Sequence, residues 1–160
     1  MGKNILVAHG GGPTAVINCS LQGVVEAARA SGEVDKIYAA RFGAEGILAG
    51  DLIDLTDVPA ATISRLQHTP ASAIGSCRRK LTDADYPTVL ETLKKFHIDC
   101  FFYNGGNDSI RPFPHHPDAD PSGRADPHHG ICGQSAGLRR GRRDEGYLYC
   151  QRPGLHRPCV

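Results

Sequence analysis

The chain has 160 residues, one domain's worth, with a formal net charge of +1 and six cysteines. That balance gives no bulk attraction to nucleic acid or to a membrane surface, and no apolar run is long enough to span a bilayer. Cys19, Cys77 and Cys100 are scattered, which favours reduced thiols in a cytoplasmic protein over a disulfide framework.

Met1-Gly2-Lys3-Asn4 leads into Ile5-Leu6-Val7-Ala8. This apolar run is too short for a signal-peptide core and suits a strand buried on both faces of a parallel sheet. His9-Gly10-Gly11-Gly12-Pro13-Thr14 follows as a glycine turn. Ile17, Leu21, Val24, Val25 and Ala28 then recur at helical spacing, with Thr14 as the expected cap and Ser31-Gly32 as the stop. Lys36-Ile37-Tyr38-Ala39-Ala40 reads as a second strand and completes a strand–helix–strand unit. From 41 to 57, apolar residues punctuated by Gly43, Gly46 and Gly50 predict a short helix or turn and then a strand. Residues 60–67 predict one or two helical turns that end before Thr69-Pro70.

Tyr86, Val89, Leu90, Leu93 and Phe96 mark the next helix. Thr82 is its expected cap, Asp83 and Asp85 match the positive end of its dipole, and Lys94, Lys95 and His97 match the negative end. Pro87 is compatible with the first turn alone. Ile98 and Cys100-Phe101-Phe102-Tyr103 form a further buried strand, and Asn104-Gly105-Gly106-Asn107-Asp108-Ser109 is a second glycine turn. Strands and helices that alternate in this way predict an α/β fold, a Rossmann-like open, mostly parallel sheet with its ligand beyond the carboxyl ends of the strands.

The pattern stops at Ile110. Residues 1–109 hold ten Lys/Arg and twelve Asp/Glu; residues 110–160 hold eight Arg, no Lys, five acids and seven of the eleven prolines. The run Arg111-Pro112-Phe113-Pro114-His115-His116-Pro117 cannot be a helix. Residues 110–160 therefore read as an irregular carboxyl-terminal tail, either disordered or translated out of frame. The doublets His115-His116 and His128-His129, with Cys132, are poor zinc chelates.

Chemistry concentrates in the two turns. Gly10-Gly11-Gly12-Pro13-Thr14 lies between a strand and a helix amino terminus, where free N–H groups suit a phosphate; the alternative is a tight turn without a ligand. No Gly-Lys-Ser/Thr follows, so it is not a Walker loop. Gly10-x-Gly12-x-x-Ala15 fits the dinucleotide fingerprint in form only, because Asp35 precedes the second strand instead of ending it. In the second turn Asp108 is either a magnesium ligand beside the phosphate or the cap of an Asx turn. Arg78-Arg79-Lys80 is either a solvated charge run or the source of one phosphate-binding fork.

Together, Gly11-Gly12-Pro13-Thr14-Ala15-Val16-Ile17-Asn18, Thr69-Pro70-Ala71 with Gly75-Ser76-Cys77-Arg78, and Gly105-Gly106-Asn107-Asp108-Ser109 resemble the amino-terminal part of the phosphofructokinases, over roughly residues 3–109. The likeness is to the pyrophosphate-dependent branch, the diphosphate–fructose-6-phosphate 1-phosphotransferases. It implies that residues 1–109 are the phosphoryl-donor-binding part of such a domain and that the donor is held by Gly11, Gly12, Arg78, Gly106, Asn107, Asp108 and Ser109. It implies Mg²⁺ at Asn107 and Asp108, and Asn107 stands where ATP-using members carry the magnesium-binding aspartate. Asp108 stands where those members have glycine, and its charge favours pyrophosphate over ATP. The implied partners are pyrophosphate (ATP being the alternative) and fructose 6-phosphate, in a cytoplasmic homo-oligomer of glycolysis without nucleic acid or membrane. The family's Pro-Lys-Thr-Ile-Asp-Asn-Asp segment, which carries the catalytic base, is absent from residues 110–160. The resemblance thus implies a chain inactive as it stands, and the other readings are a phosphate- or nucleotide-binding module without catalysis and a non-functional fragment that does not fold stably.

Overall fold

The computed structural model describes residues 2–105. Strand β1 (Lys3–His9) is followed by α1 (Ile17–Ser31), β2 (Val34–Ala40), α2 (Ala44–Ala49), β3 (Leu52–Asp54), α3 (Ala60–Ser64), a 3-10 turn (Arg65–His68), a second 3-10 turn (Asp83–Asp85), α4 (Tyr86–Lys95) and β4 (Ile98–Asn104). The sheet order is β3-β2-β1-β4. β1 pairs in parallel with β2 and β4, while β3 runs antiparallel along β2 at the edge. The open, mostly parallel α/β sheet expected from the alternation of elements is therefore present, with β1 at its centre.

The short apolar run of β1 has two-sided burial. Ile5 and Val7 join Leu21, Val25 and Ala28 of α1 in one core, and Leu6 and Ala8 join Ile47 of α2 and Val89 and Leu93 of α4 in the other. Successive strand residues face opposite sides of the sheet, so a strand covered on both faces needs consecutive apolar residues. Each fully buried Leu or Val here contributes about 1.5–3 kcal/mol of transfer free energy.

Helix boundaries follow the sequence signals, with one exception. Gly32 ends α1 in the left-handed conformation at φ +66°, as the Ser31-Gly32 stop predicts. Thr82 and Asp85 form a reciprocal capping box around the 3-10 turn that leads into α4, so Thr82 caps that turn and Asp85 stands at the cap position of α4 itself without a side-chain cap bond, while Pro87 lies in the first turn of α4. Thr14, however, does not cap α1. The helix begins three residues later, at Ile17, with Val16 at the cap position and no side-chain cap bond. Thr14 closes a turn instead, its carbonyl oxygen accepting from Ile17 N–H at 3.3 Å. With Thr14 three residues ahead of the first helical residue and valine at the cap position, the first-turn N–H groups of α1 lack a side-chain cap.

Candidate functional site: a glycine turn at the carboxyl end of the central strand

In the parallel pairing of β1 with β4, His9 lies opposite Asn104, so both strands end at one edge of the sheet. The first glycine turn and the start of the second, Asn104-Gly105, therefore leave the sheet side by side. Gly10 N–H donates to Asn104 O at 2.9 Å, and Asn104 Nδ2 reaches back to Ile17 O at 3.3 Å. Buried Asn104 thus fastens the start of the second turn both to the first turn and to the start of α1.

Residues 72–78 pack along the other side of the first turn as a strap. Gly11 N–H donates to Cys77 O at 2.8 Å, Ser76 Oγ donates to Gly11 O at 2.9 Å, and Gly10 and Cys77 form an isolated parallel bridge. Arg78 comes next. Its Nη2 lies 3.5 Å from where a Cβ on Gly12 would stand. Arg79 is turned away, donating to Asp85 at 2.9 Å. Of the two arginines in the charge run, Arg78 is thus the one whose guanidinium reaches the glycine turn.

Gly11 takes a left-handed φ of +78°, which a side chain would strain. At Gly10 the constraint is space: an added Cβ would stand 2.3 Å from the hydroxyl oxygen of Tyr103. Burial pushes the Tyr103 phenol up to about 12, so it stays protonated across the physiological range.

The loop ahead of the strap hangs from α1. Asn18, buried on the apolar stripe of the helix, donates through Nδ2 to Thr69 O and Ala71 O at 2.8 Å each and accepts from Ala73 N–H at 2.9 Å. Between residues 13–15 and 67–71 lies an open cleft of about 440 Å³ next to the start of α1.

Of the residues expected at the site, Gly11, Gly12 and Arg78 are brought together. Gly106, Asn107, Asp108 and Ser109, and with them both expected magnesium ligands, lie outside the described residues, as does the expected tail 110–160. Among the described residues no group of three or more His, Cys, Asp and Glu gathers as a metal site. The dinucleotide alternative loses its acid. Asp35 lies near the start of β2, at the opposite edge of the sheet, where it accepts from Gly2 N–H at 2.7 Å. Residue-type reasoning missed His9, Asn18, Ser72, Ser76 and Asn104. Asn18 and His9 did carry a signal, a polar residue within an apolar stripe or at the end of an apolar strand; the two serines carried none.

Comparison with known proteins adds independent findings. The phosphofructokinase family model matches residues 4–115, six residues beyond the end of the motif resemblance. The pyrophosphate–fructose 6-phosphate 1-phosphotransferase of Halomonas elongata is 45% identical over 112 residues, covering 66% of this chain and 27% of the relative. Its counterpart from Xanthomonas campestris is 46% identical over 111 residues, with 66% and 26% covered. The crystal structure of a pyrophosphate-dependent phosphofructokinase from Nitrosospira multiformis is 48% identical, with a TM-score of 0.65 over 70% of this chain and 28% of that one. This chain thus spans about a quarter of the length of the curated relatives it matches. Among the described residues no helix is long and apolar enough to cross a membrane.

Proposed function

The chain belongs to the phosphofructokinase family, and on that premise we propose that residues 1–109 form the phosphoryl-donor-binding part of a cytoplasmic, pyrophosphate-dependent 6-phosphofructokinase. The reaction is reversible transfer of a phosphoryl group from pyrophosphate to the 1-hydroxyl of fructose 6-phosphate, giving fructose 1,6-bisphosphate and phosphate. The observation that carries the reading is the Arg78 guanidinium beside Gly12, on a strap hydrogen-bonded to Gly11.

In this reading the Gly12 N–H and the Arg78 fork hold the donor's oxygens and fix its orientation, because the Gly10 and Gly11 N–H groups are already bonded to Asn104 O and Cys77 O. Gly12 leaves the approach open because it has no side chain. Gly106 and Ser109 complete the cradle from the second turn. Asn107 and Asp108 offer amide and carboxylate oxygens, the hard donors that suit Mg²⁺, and in sequence they come two and three residues after Gly105. When bound, the ion neutralises charge developing on the transferring phosphoryl group. Asp108 also sets the donor: its negative charge disfavours the further phosphates of ATP and admits the small pyrophosphate.

Residues 110–160 contain no Pro-Lys-Thr-Ile-Asp-Asn-Asp segment. A general base contributes about 10²–10⁴-fold to such a transfer, so this chain by itself binds donor without turning it over. Thermal unfolding of the 160-residue chain with millimolar magnesium pyrophosphate tests donor binding, and the expected result is a rise in midpoint. No rise removes the reading. A coupled assay for fructose 1,6-bisphosphate tests the second half, with no product expected from this chain alone.

A further inference from the structure

The end of β1 holds a group to which donor binding assigns no role. His9, the residue directly before the glycine turn, is fully buried. Its Nδ1 lies 2.7 Å from Ser72 Oγ, and Ser72 Oγ donates to Gly75 O at 2.8 Å. A serine hydroxyl has a single proton. With that proton on the Gly75 carbonyl, the oxygen accepts, so the bonding pattern assigns the imidazole proton to Nδ1. Nε2 is then a bare acceptor, without a partner among the described residues. Burial holds the ring neutral, with its pKa lowered to about 4. Among the described residues the one polar contact the side chain makes is therefore to Ser72.

Ser72 opens the strap that ends at Arg78. Downstream of it Gly75 turns the chain at φ +74°, and Ser76 and Cys77 bond to Gly11. The strap is thus pinned twice to the same stretch of β1 and its turn, at His9 through Ser72 and at Gly11 through Ser76 and Cys77. Arg78 is the first residue beyond the second pin. Between the two pins the strap is also held by Ala73 N–H donating to Asn18 Oδ1 at 2.9 Å and Phe42 N–H donating to Ile74 O at 2.9 Å, so the His9 bond fixes the one end of the strap that these leave to Ser72.

We propose that His9 is a positioning residue for the phosphoryl donor: its bond to Ser72 pins the 72–77 strap so that the Arg78 guanidinium stands over Gly12. This rests on the donor-binding reading above.

The test is calorimetric titration of magnesium pyrophosphate into the full chain and its His9→Leu, His9→Asn, Ser72→Ala, Arg78→Ala and His9→Leu/Arg78→Ala variants. Amide exchange at Gly11 is followed in parallel. His9→Leu is expected to weaken binding about tenfold and to speed exchange of the Gly11 amide. His9→Asn, whose side-chain N–H replaces Nδ1–H, restores most of the affinity, and Ser72→Ala matches His9→Leu. In the Arg78→Ala background the His9→Leu loss falls below about twofold, which a general loss of structure would not produce. Equal affinity of His9→Leu and the unmodified chain overturns the inference, as does full additivity with Arg78→Ala. If His9→Leu fails to fold by circular dichroism, Ser72→Ala carries the same test from the other end of the bond. An unmodified chain that does not bind pyrophosphate removes the donor-binding reading and this inference together. Binding that Arg78→Ala weakens and His9→Leu does not removes this inference alone.

Discussion

Gly10 N–H donates to the carbonyl oxygen of Asn104 at 2.9 Å, joining two segments more than ninety residues apart in sequence at one edge of the sheet. The bond closes the ladder between β1 and β4 and sets the start of the second glycine turn, Asn104-Gly105, beside the first turn. On the other flank of the first turn stands Arg78, and the cradle proposed for pyrophosphate lies between them.

Arg78 and Arg79 are adjacent in sequence and differ in what they touch. Arg78→Ala is expected to weaken magnesium pyrophosphate binding by about ten- to a hundredfold, the scale of one lost charge-assisted fork. Arg79→Ala is expected to leave binding within about twofold, because its guanidinium bonds Asp85 at the exposed start of α4. Calorimetric titration of both variants checks the contrast.

Asn18 bonds three backbone groups of the 69–73 loop from a buried position. Asn18→Leu leaves Thr69 O, Ala71 O and Ala73 N–H without that partner and is expected to cost about 2–4 kcal/mol. Urea unfolding measures it. Asn18→Asp is expected to be worse than its size suggests, since a carboxylate would then face two carbonyl oxygens.

Gly43 sits at φ +62°, and an added Cβ would stand 2.0 Å from the carbonyl oxygen of His9. Backbone at the end of the central strand cannot yield as a side-chain tip can. Gly43→Ala is therefore expected to destabilise by about 3 kcal/mol or more, read from the urea midpoint.

Stability is expected to fall between pH 6.5 and about 4 through His9. Its folded-state pKa is lowered from 6.5 to about 4, so in this window the unfolded chain binds the proton more readily. Stability from this group is complete above pH 6.5 and is lost as pH falls, by up to about 3 kcal/mol. Urea midpoints from pH 7 to pH 4.5 for the unmodified chain and His9→Asn check this. The variant should have the shallower slope, because asparagine does not titrate.

Asp108→Gly is expected to improve protection by magnesium ATP about tenfold over the unmodified chain, the effect of removing one like charge beside the nucleotide's phosphates. Thermal shifts with ATP and pyrophosphate in parallel measure it.

The sequence by itself determined the elements and the places of the turns. Consecutive apolar residues in Ile5-Leu6-Val7-Ala8 could only be buried on both sides, the 3.6-residue spacing of Ile17, Leu21 and Val25 required a helix, and the glycines between the two required a tight turn. These are local consequences of side-chain periodicity and backbone freedom. The place where Thr14 failed as a cap is informative, since capping depends on where the helix begins, and here the turn from Thr14 to Ile17 moved that start. Only the tertiary structure decided that β4 lies beside β1, that Arg78 and not Arg79 meets Gly12, and that His9, Ser72 and Ser76 hold the strap. Each of those contacts joins residues far apart along the chain, and strand order and loop packing, which bring them together, leave no periodic mark on the residues they join.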